Sequence, residues 1–242
     1  MAAGRDKELS LVQHLAELRD RLMVASIAVV ITTAISFVFT TEIIKLLILP
    51  AGVGLKLSSF SPTENFTTYM RVALFSGIAL AMPVLIYEIF AYIDPALRPN
   101  ERRFALTLGP FILLLFVAGM LFCYFLLLPN ALRFLLTFAS DVFENQLRAT
   151  EYLSFVTTFI LGMGLVFEMP VLIYALVRLG AVRREWLTKQ RRYAFLVSFV
   201  LAAVVTPTPD PFNQTLVALP MYLLFELGLL LSRFGGAPRA AA

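Results

Sequence analysis

Glu168 stands about two-thirds of the way along an otherwise apolar stretch, residues 152–177, that is long enough to cross a bilayer. A charged group is costly there, so Glu168 faces a cavity or a partner, stays protonated, or is hydrogen-bonded between helices to specify packing. Two residues on, Pro170 withholds a helical N–H and is expected to kink the stretch. A second group lies near the N-terminus. Residues 8–22 read as an amphipathic helix, with Leu11, Leu15, Leu18 and Leu22 in one stripe and His14, Glu17, Arg19, Asp20 and Arg21 on the other faces. Acids beside bases at a membrane mouth can hold a cationic ligand; in a plain interfacial helix they are only solvated. The residues alone leave both readings open. Asn213, Gln214 and Thr215 form a third polar group at the start of the last apolar stretch. They could cap that helix or hydrogen-bond a partner. Glu88 and Glu226 lie near the ends of their stretches and are expected to reach the interface without a further role.

Catalysis finds no residue set. The sequence has no G-x-x-x-x-G-K-[ST] phosphate loop, no H-E-x-x-H and no C-x-x-C, and no two glycines stand four apart. The single histidine, His14, lies outside the apolar stretches, so no Ser–His pair is available within the membrane. Cys123 is the one cysteine, in an apolar run, and cannot form an intrachain disulfide. No metal site, cofactor or nucleic-acid partner is expected. A carrier or a receptor is left.

The elements that position these groups follow from composition. Of 242 residues, 60% are apolar or aromatic and 15% are charged, against about 25% charged in soluble domains. Mean hydropathy is +0.84. This excludes a soluble globular enzyme and a disordered chain, and implies an all-α integral membrane protein. With about 20 helical residues needed per crossing, the spans are residues 22–39, 72–93, 104–128, 152–177, 193–205 and 215–231. The last two are short, and 193–205 rises only about 20 Å, which would thin the bilayer locally. Pro207, Pro209 and Pro211 between them force a turn. Residues 42–49 and 130–138, flanked by Pro50 and Pro129, read equally as interfacial caps or as extensions of spans one and three.

Charge sets the orientation. With the N-terminus inside, fifteen of the 20 Lys and Arg residues fall on the inner side and five on the outer, which fits both termini in the cytoplasm. The net charge of +4 reports this asymmetry. Some twenty mostly polar residues precede the first apolar run, unlike a cleaved signal peptide. The whole chain, 1–242, reads as one polytopic domain, with 1–21 a cytoplasmic amphipathic segment and 232–242 a cytoplasmic tail. One run recurs, Met82-Pro83-Val84-Leu85-Ile86-Tyr87 and Met169-Pro170-Val171-Leu172-Ile173-Tyr174, predicting two similarly kinked helices able to make a concave face.

In order along the chain stand His14-Leu15-x-Glu17-Leu18-Arg19-x-Arg21-Leu22, Ser61-Pro62-Thr63-Glu64-x-Phe66, Pro95-Ala96-Leu97 with Glu101-Arg102-Arg103, Phe167-Glu168-x-Pro170, and Pro209-Asp210 through Gln214-Thr215. Through these the chain resembles the TatC family, the multispanning receptor of the twin-arginine protein translocase, over nearly its whole length. The resemblance implies a cupped six-helix fold in the cell inner membrane and no enzymatic activity. It implies binding of twin-arginine signal peptides of folded cargo at the cytoplasmic face. It further implies assembly with TatA- and TatB-type single-span partners, self-association in the receptor complex, and export driven by the proton gradient. On that resemblance Glu17 and Glu101 meet the paired arginines, Arg19 fixes the acid, and Glu168 faces the concave side. Gln214 and Thr215 sit where a partner helix docks, while Pro50 and Asp210 match outer-loop family positions. Tyr92 and Arg98 depart from the family's usual Phe and Tyr around the inner-loop proline. The competing class is a proton-coupled transporter of a small solute that uses Glu168.

Overall fold

The structure is a computed structural model that describes residues 11–52, 57–93, 99–138, 147–206 and 210–234. Long apolar runs without internal breakers have to satisfy their backbone groups within the segment, and helices result. In chain order these are α1 (Leu11–Ile48), α2 (Pro62–Ile93), α3 (Pro99–Phe122), α4 (Leu128–Thr137), α5 (Ala149–Val166), α6 (Met169–Arg178), α7 (Arg184–Lys189), α8 (Arg191–Val205) and α9 (Pro211–Phe234). Among the described residues the only β pairing is an isolated parallel bridge between Ser58 and Arg148.

Among the described residues five stretches have the length and apolarity to cross a membrane: His14–Ala51, Pro62–Ile93, Thr107–Thr137, Ala149–Arg178 and Pro211–Arg233. The remaining predicted span is α8, whose 15 residues rise about 22 Å, less than the roughly 30 Å hydrocarbon core. The predicted turn before α9 falls largely on residues 207–209, outside the described residues.

α1 and α2 run antiparallel. Arg21 meets Glu88 at one end of the pair, Thr32 donates to the Gly77 carbonyl in the middle at 2.8 Å, and Thr41 and Tyr69 hydroxyls meet at 3.1 Å at the other end. The end where α1 begins is called proximal below, the other distal. α1 is peripheral, with Leu22, Ile27, Val30, Ile31, Ile35 and Val38 all exposed. An apolar face of that extent suits lipid, not water.

The main core lies toward the distal half. Leu127, Val156, Phe159, Met163 and Val217 are buried there, and Cys123 packs among them. The Tyr152 hydroxyl donates to the Leu47 carbonyl at 2.8 Å, and that of Tyr124 to Leu46 at 2.9 Å, tying the end of α1 to this core.

Both ambiguous outer segments continue their spans, the second through a widened turn. Residues 42–48 continue α1, which ends in a 3-10 turn over Leu49–Ala51 that contains Pro50. Residues 128–137 form α4, which continues α3 beyond a π-helical segment and packs on that turn. That segment is Cys123–Leu127, with the Leu128 N–H reaching the Cys123 carbonyl five residues back. Pro129 explains the widening, since it offers no N–H to the turn before it. The Asn130 side-chain amide donates instead to the Leu126 carbonyl at 2.6 Å.

Candidate functional site

At the proximal face α1 and α2 meet through charge. Arg21 Nη1 donates to Glu88 Oε2 at 3.1 Å. Arg21 Nη2 lies 3.6 Å from Glu17 Oε1, one helical turn back on α1 and beyond hydrogen-bond length. Glu88, expected at the interface, is buried instead, and it turns to α1 because a buried carboxylate needs a partner. Two carboxylates therefore share one guanidinium among the described residues. Glu17 is the more exposed of the two.

Arg19 does not hold Glu17. It pairs with Asp20 at 2.8 Å, both side chains exposed, and the residue placed against Glu17 is Arg21. His14 stacks on Tyr92 with ring centroids 4.6 Å apart, pinning the start of α1 to the end of α2. Beside Arg19, Leu15, Leu22, Met23 and Ile27 of α1 form an exposed apolar surface. Glu101 falls in the first turn of α3, and its side chain lies outside the described residues.

Glu168 occupies the joint between α5 and α6. Pro170 cannot bond the Val166 carbonyl, and α5 stops at that residue. The Phe167 N–H still reaches Met163 O at 3.0 Å, but the Glu168 N–H tightens onto Leu165 O at 3.1 Å. The joint is seated against α3 at Gly119, where a Cβ would lie 2.7 Å from Met163 O and 2.8 Å from Phe167 Cβ. Glu168 is 7% exposed, and neither carboxylate oxygen has a hydrogen-bond partner among the described residues. The Phe116 backbone faces it without a bond of ordinary geometry. So placed, Glu168 can hold a proton or accept a hydrogen bond from another element. The expected likeness of the two Met-Pro-Val-Leu-Ile-Tyr runs is not seen in the helix pattern: α2 continues through Pro83, whereas the chain breaks just before Pro170.

The distal face carries a cluster around Glu64, which the sequence offered only as part of the Ser61–Phe66 motif, with no role and no partner. Glu64 is buried and accepts from the Phe60 N–H at 3.0 Å, from Arg148 Nε at 2.9 Å and from the Thr150 hydroxyl at 2.9 Å. Ser58 and Leu147 share a backbone bond of 2.9 Å beside it. The signal was present: Ser61 followed three residues later by Glu64, with Pro62 at the first helical position, is capping-box spacing.

Asp210 caps α9, accepting from the Asn213 N–H at 2.7 Å and from its side-chain amide at 2.9 Å. Gln214 Nε2 donates to the Phe199 carbonyl of α8 at 3.0 Å, and Thr215 donates to Pro211 O at 2.6 Å. Pro50 lies in the 3-10 turn under α4. The structure thus brings Glu17, Arg21 and Glu88 together proximally. Glu168 stands apart at the joint, and Asp210, Gln214 and Thr215 lie distally.

Helices throughout the described residues, five of them long and apolar enough to cross a bilayer, define a multi-pass membrane protein. A family profile described as Sec-independent protein translocase protein (TatC) matches residues 13–220. The Sec-independent protein translocase protein TatC of Carboxydothermus hydrogenoformans is 38% identical over 230 residues, covering 95% of each chain. TatCy of Bacillus subtilis is 34% identical over 235 residues, covering 96% of this chain and 92% of its own. A crystal structure of a twin-arginine translocase receptor TatC superposes with a TM-score of 0.82 at 35% identity, covering 92% of this chain and 99% of that one. The chain belongs to the TatC family, and its role is that of a non-enzymatic component of protein transport.

Proposed function

We propose that this chain is the receptor of a twin-arginine translocation system, binding twin-arginine signal peptides of folded proteins at the cytoplasmic face of the inner membrane. The observation that carries the reading is the shared guanidinium. Arg21 donates to Glu88 at 3.1 Å and lies 3.6 Å from Glu17, so among the described residues Glu17 keeps carboxylate lone pairs open to a cation. An incoming arginine fork answers them by charge and by bidentate geometry. Glu101, at the start of α3 on the same face, is the second acid of the pair. Arg19 holds Asp20 and borders the site; Arg21, not Arg19, positions Glu17.

In this reading α8 is the sixth span, both termini are cytoplasmic, and six helices form a cupped arrangement with Glu168 on its concave side. TatA- and TatB-type single-span proteins assemble on the chain, which also self-associates, and the proton gradient drives export. Gln214 and Thr215, beside the short α8, lie where a partner helix docks, and Pro50 and Asp210 hold the outer turns. Family membership favours protein as the cargo over the small solute of the competing transporter reading.

The test is photo-crosslinking from position 101 to a twin-arginine signal peptide in inverted membrane vesicles, with a control peptide carrying two lysines instead. A crosslink that disappears with the lysines and weakens in Glu17→Ala is expected. A crosslink indifferent to both changes would overturn the receptor reading.

A further inference from the structure

The link between α6 and α8 gathers Arg183, Arg184, Lys189, Arg191 and Arg192 within ten residues, against one acid, Glu185. Arg191 is neutralised by Glu226 of α9 at 2.8 Å. Arg183, Arg184, Lys189 and Arg192 form no ion pair among the described residues. The distal face is different: Lys45 pairs with Glu42, Arg148 with Glu64, and Arg71 donates to Ser154. Arg71 and Arg133, the distal cations without an ion pair among the described residues, stand far apart in the sequence, whereas four such cations fall within ten residues at this link.

The link is also held in place. Leu187 of α7 packs with Ile173, Phe225 and Leu229, so the cations are carried on anchored helices. Trp186, the only tryptophan of the chain, points away from that packing and is exposed. The Arg184 Nε is shielded from solvent yet finds no acceptor among the described residues. Arg192 lies 4.9 Å from the Tyr193 ring at the first turn of α8. Unpaired cations, an exposed Trp and a Tyr at the end of apolar helices are the composition of a membrane–water boundary that meets anionic headgroups.

We infer that α7 and its flanks, with Arg183, Arg184, Lys189 and Arg192, form a binding surface for acidic phospholipid headgroups, seating the proximal ends of α6 and α8 on an anionic membrane surface. The ligand chemistry is a phosphodiester, and its source is lipid. Charge complementarity selects it over zwitterionic lipid, whose phosphate is offset by its own ammonium. The inference goes beyond signal-peptide recognition and stands whether or not Glu17 binds cargo.

Trp186 is a built-in reporter. The full chain is reconstituted in vesicles of phosphatidylcholine with 20 mole per cent of brominated phosphatidylglycerol or of brominated phosphatidylcholine, and quenching of its emission is compared. The expected result is a preference for the acidic lipid of about fivefold for each engaged cation, from roughly 1 kcal/mol per Lys or Arg near the surface. It should shrink at high salt and fall toward parity in Arg183→Gln/Arg184→Gln/Lys189→Gln. Substitution of distal Arg133 by Gln should leave it unchanged. Equal quenching by the two lipids in the unmodified chain would overturn the inference, and the salt series tests it even where the triple variant is poorly folded. If inorganic phosphate removes the preference more than chloride of equal ionic strength does, the surface binds free phosphate and the lipid assignment falls. A Trp186 shift with an acidic peptide but no lipid preference would overturn it in favour of a protein partner.

Discussion

Arg21 stands between two carboxylates, and how it divides itself between them sets the charge that Glu17 presents. Removing Glu88 frees the guanidinium to neutralise Glu17. Glu88→Gln is therefore expected to weaken twin-arginine peptide binding several-fold although residue 88 never meets the peptide. Glu17→Ala should weaken it by about tenfold, as for the loss of one charged hydrogen bond of roughly 1.5 kcal/mol. Fluorescence anisotropy with a labelled signal peptide measures both, and unchanged binding by Glu88→Gln would refute the shared-guanidinium account. On the distal side, Glu64→Gln should loosen the junction that Arg148 and Thr150 close. Faster amide exchange at Ser58 and Ala149, whose N–H groups bond across it, is the expected readout. These residues also mark what sequence reading can reach. Ser61 and Glu64 stand at capping-box spacing, and in the fold the Glu64 carboxylate takes the Phe60 N–H. That Arg21 meets Glu88, or Arg148 meets Glu64, is not visible from spacing, because the partners lie 67 and 84 positions apart and only the antiparallel packing joins them.

Helix packing in this chain depends on close approach between backbones. A Cβ at Gly77 would collide with the Thr33 backbone of α1, whereas one at Gly109 would find only Phe90 at 3.9 Å. Gly77→Ala is expected to destabilise by about 1–3 kcal/mol through overpacking. Gly109→Ala should be neutral or mildly stabilising, since alanine favours a helix by roughly 1 kcal/mol. Thermal unfolding in detergent separates the two, and equal midpoints would remove the steric argument. The long apolar runs fixed the position of most helices in advance, and Pro170 correctly marked the joint beside Glu168. Helix ends were less legible. α1 extends well past the expected 22–39 because nothing in residues 40–48 breaks it. The repeated Met-Pro-Val-Leu-Ile-Tyr run takes two helix patterns because context overrides local preference: Pro83 is exposed on α2, while Pro170 is buried against neighbouring helices.

For the molecule as a whole, the short α8 next to Gln214 bears on how a membrane would sit around it. Inserting four apolar residues after Ala203 would lengthen α8 by about 6 Å. If local thinning aids passage of cargo, export of a folded reporter should fall; unchanged export would show that the short helix is not required. Composition alone made the membrane class legible, and charge bias proposed the sidedness. A cap from residues 130–138 was one of two open readings, but the closing of the distal face by Glu64 and Arg148 was not legible, since it depends on loops meeting in space. The complete burial of Cys123 within the main core gives this chain a practical property. Its only native thiol is shielded from water-soluble maleimides, so the natural sequence serves as a blank background for thiol mapping. Single cysteines placed at Ser59 and at Lys189 should then label from opposite sides of a sealed vesicle, which decides the sidedness without altering any other residue.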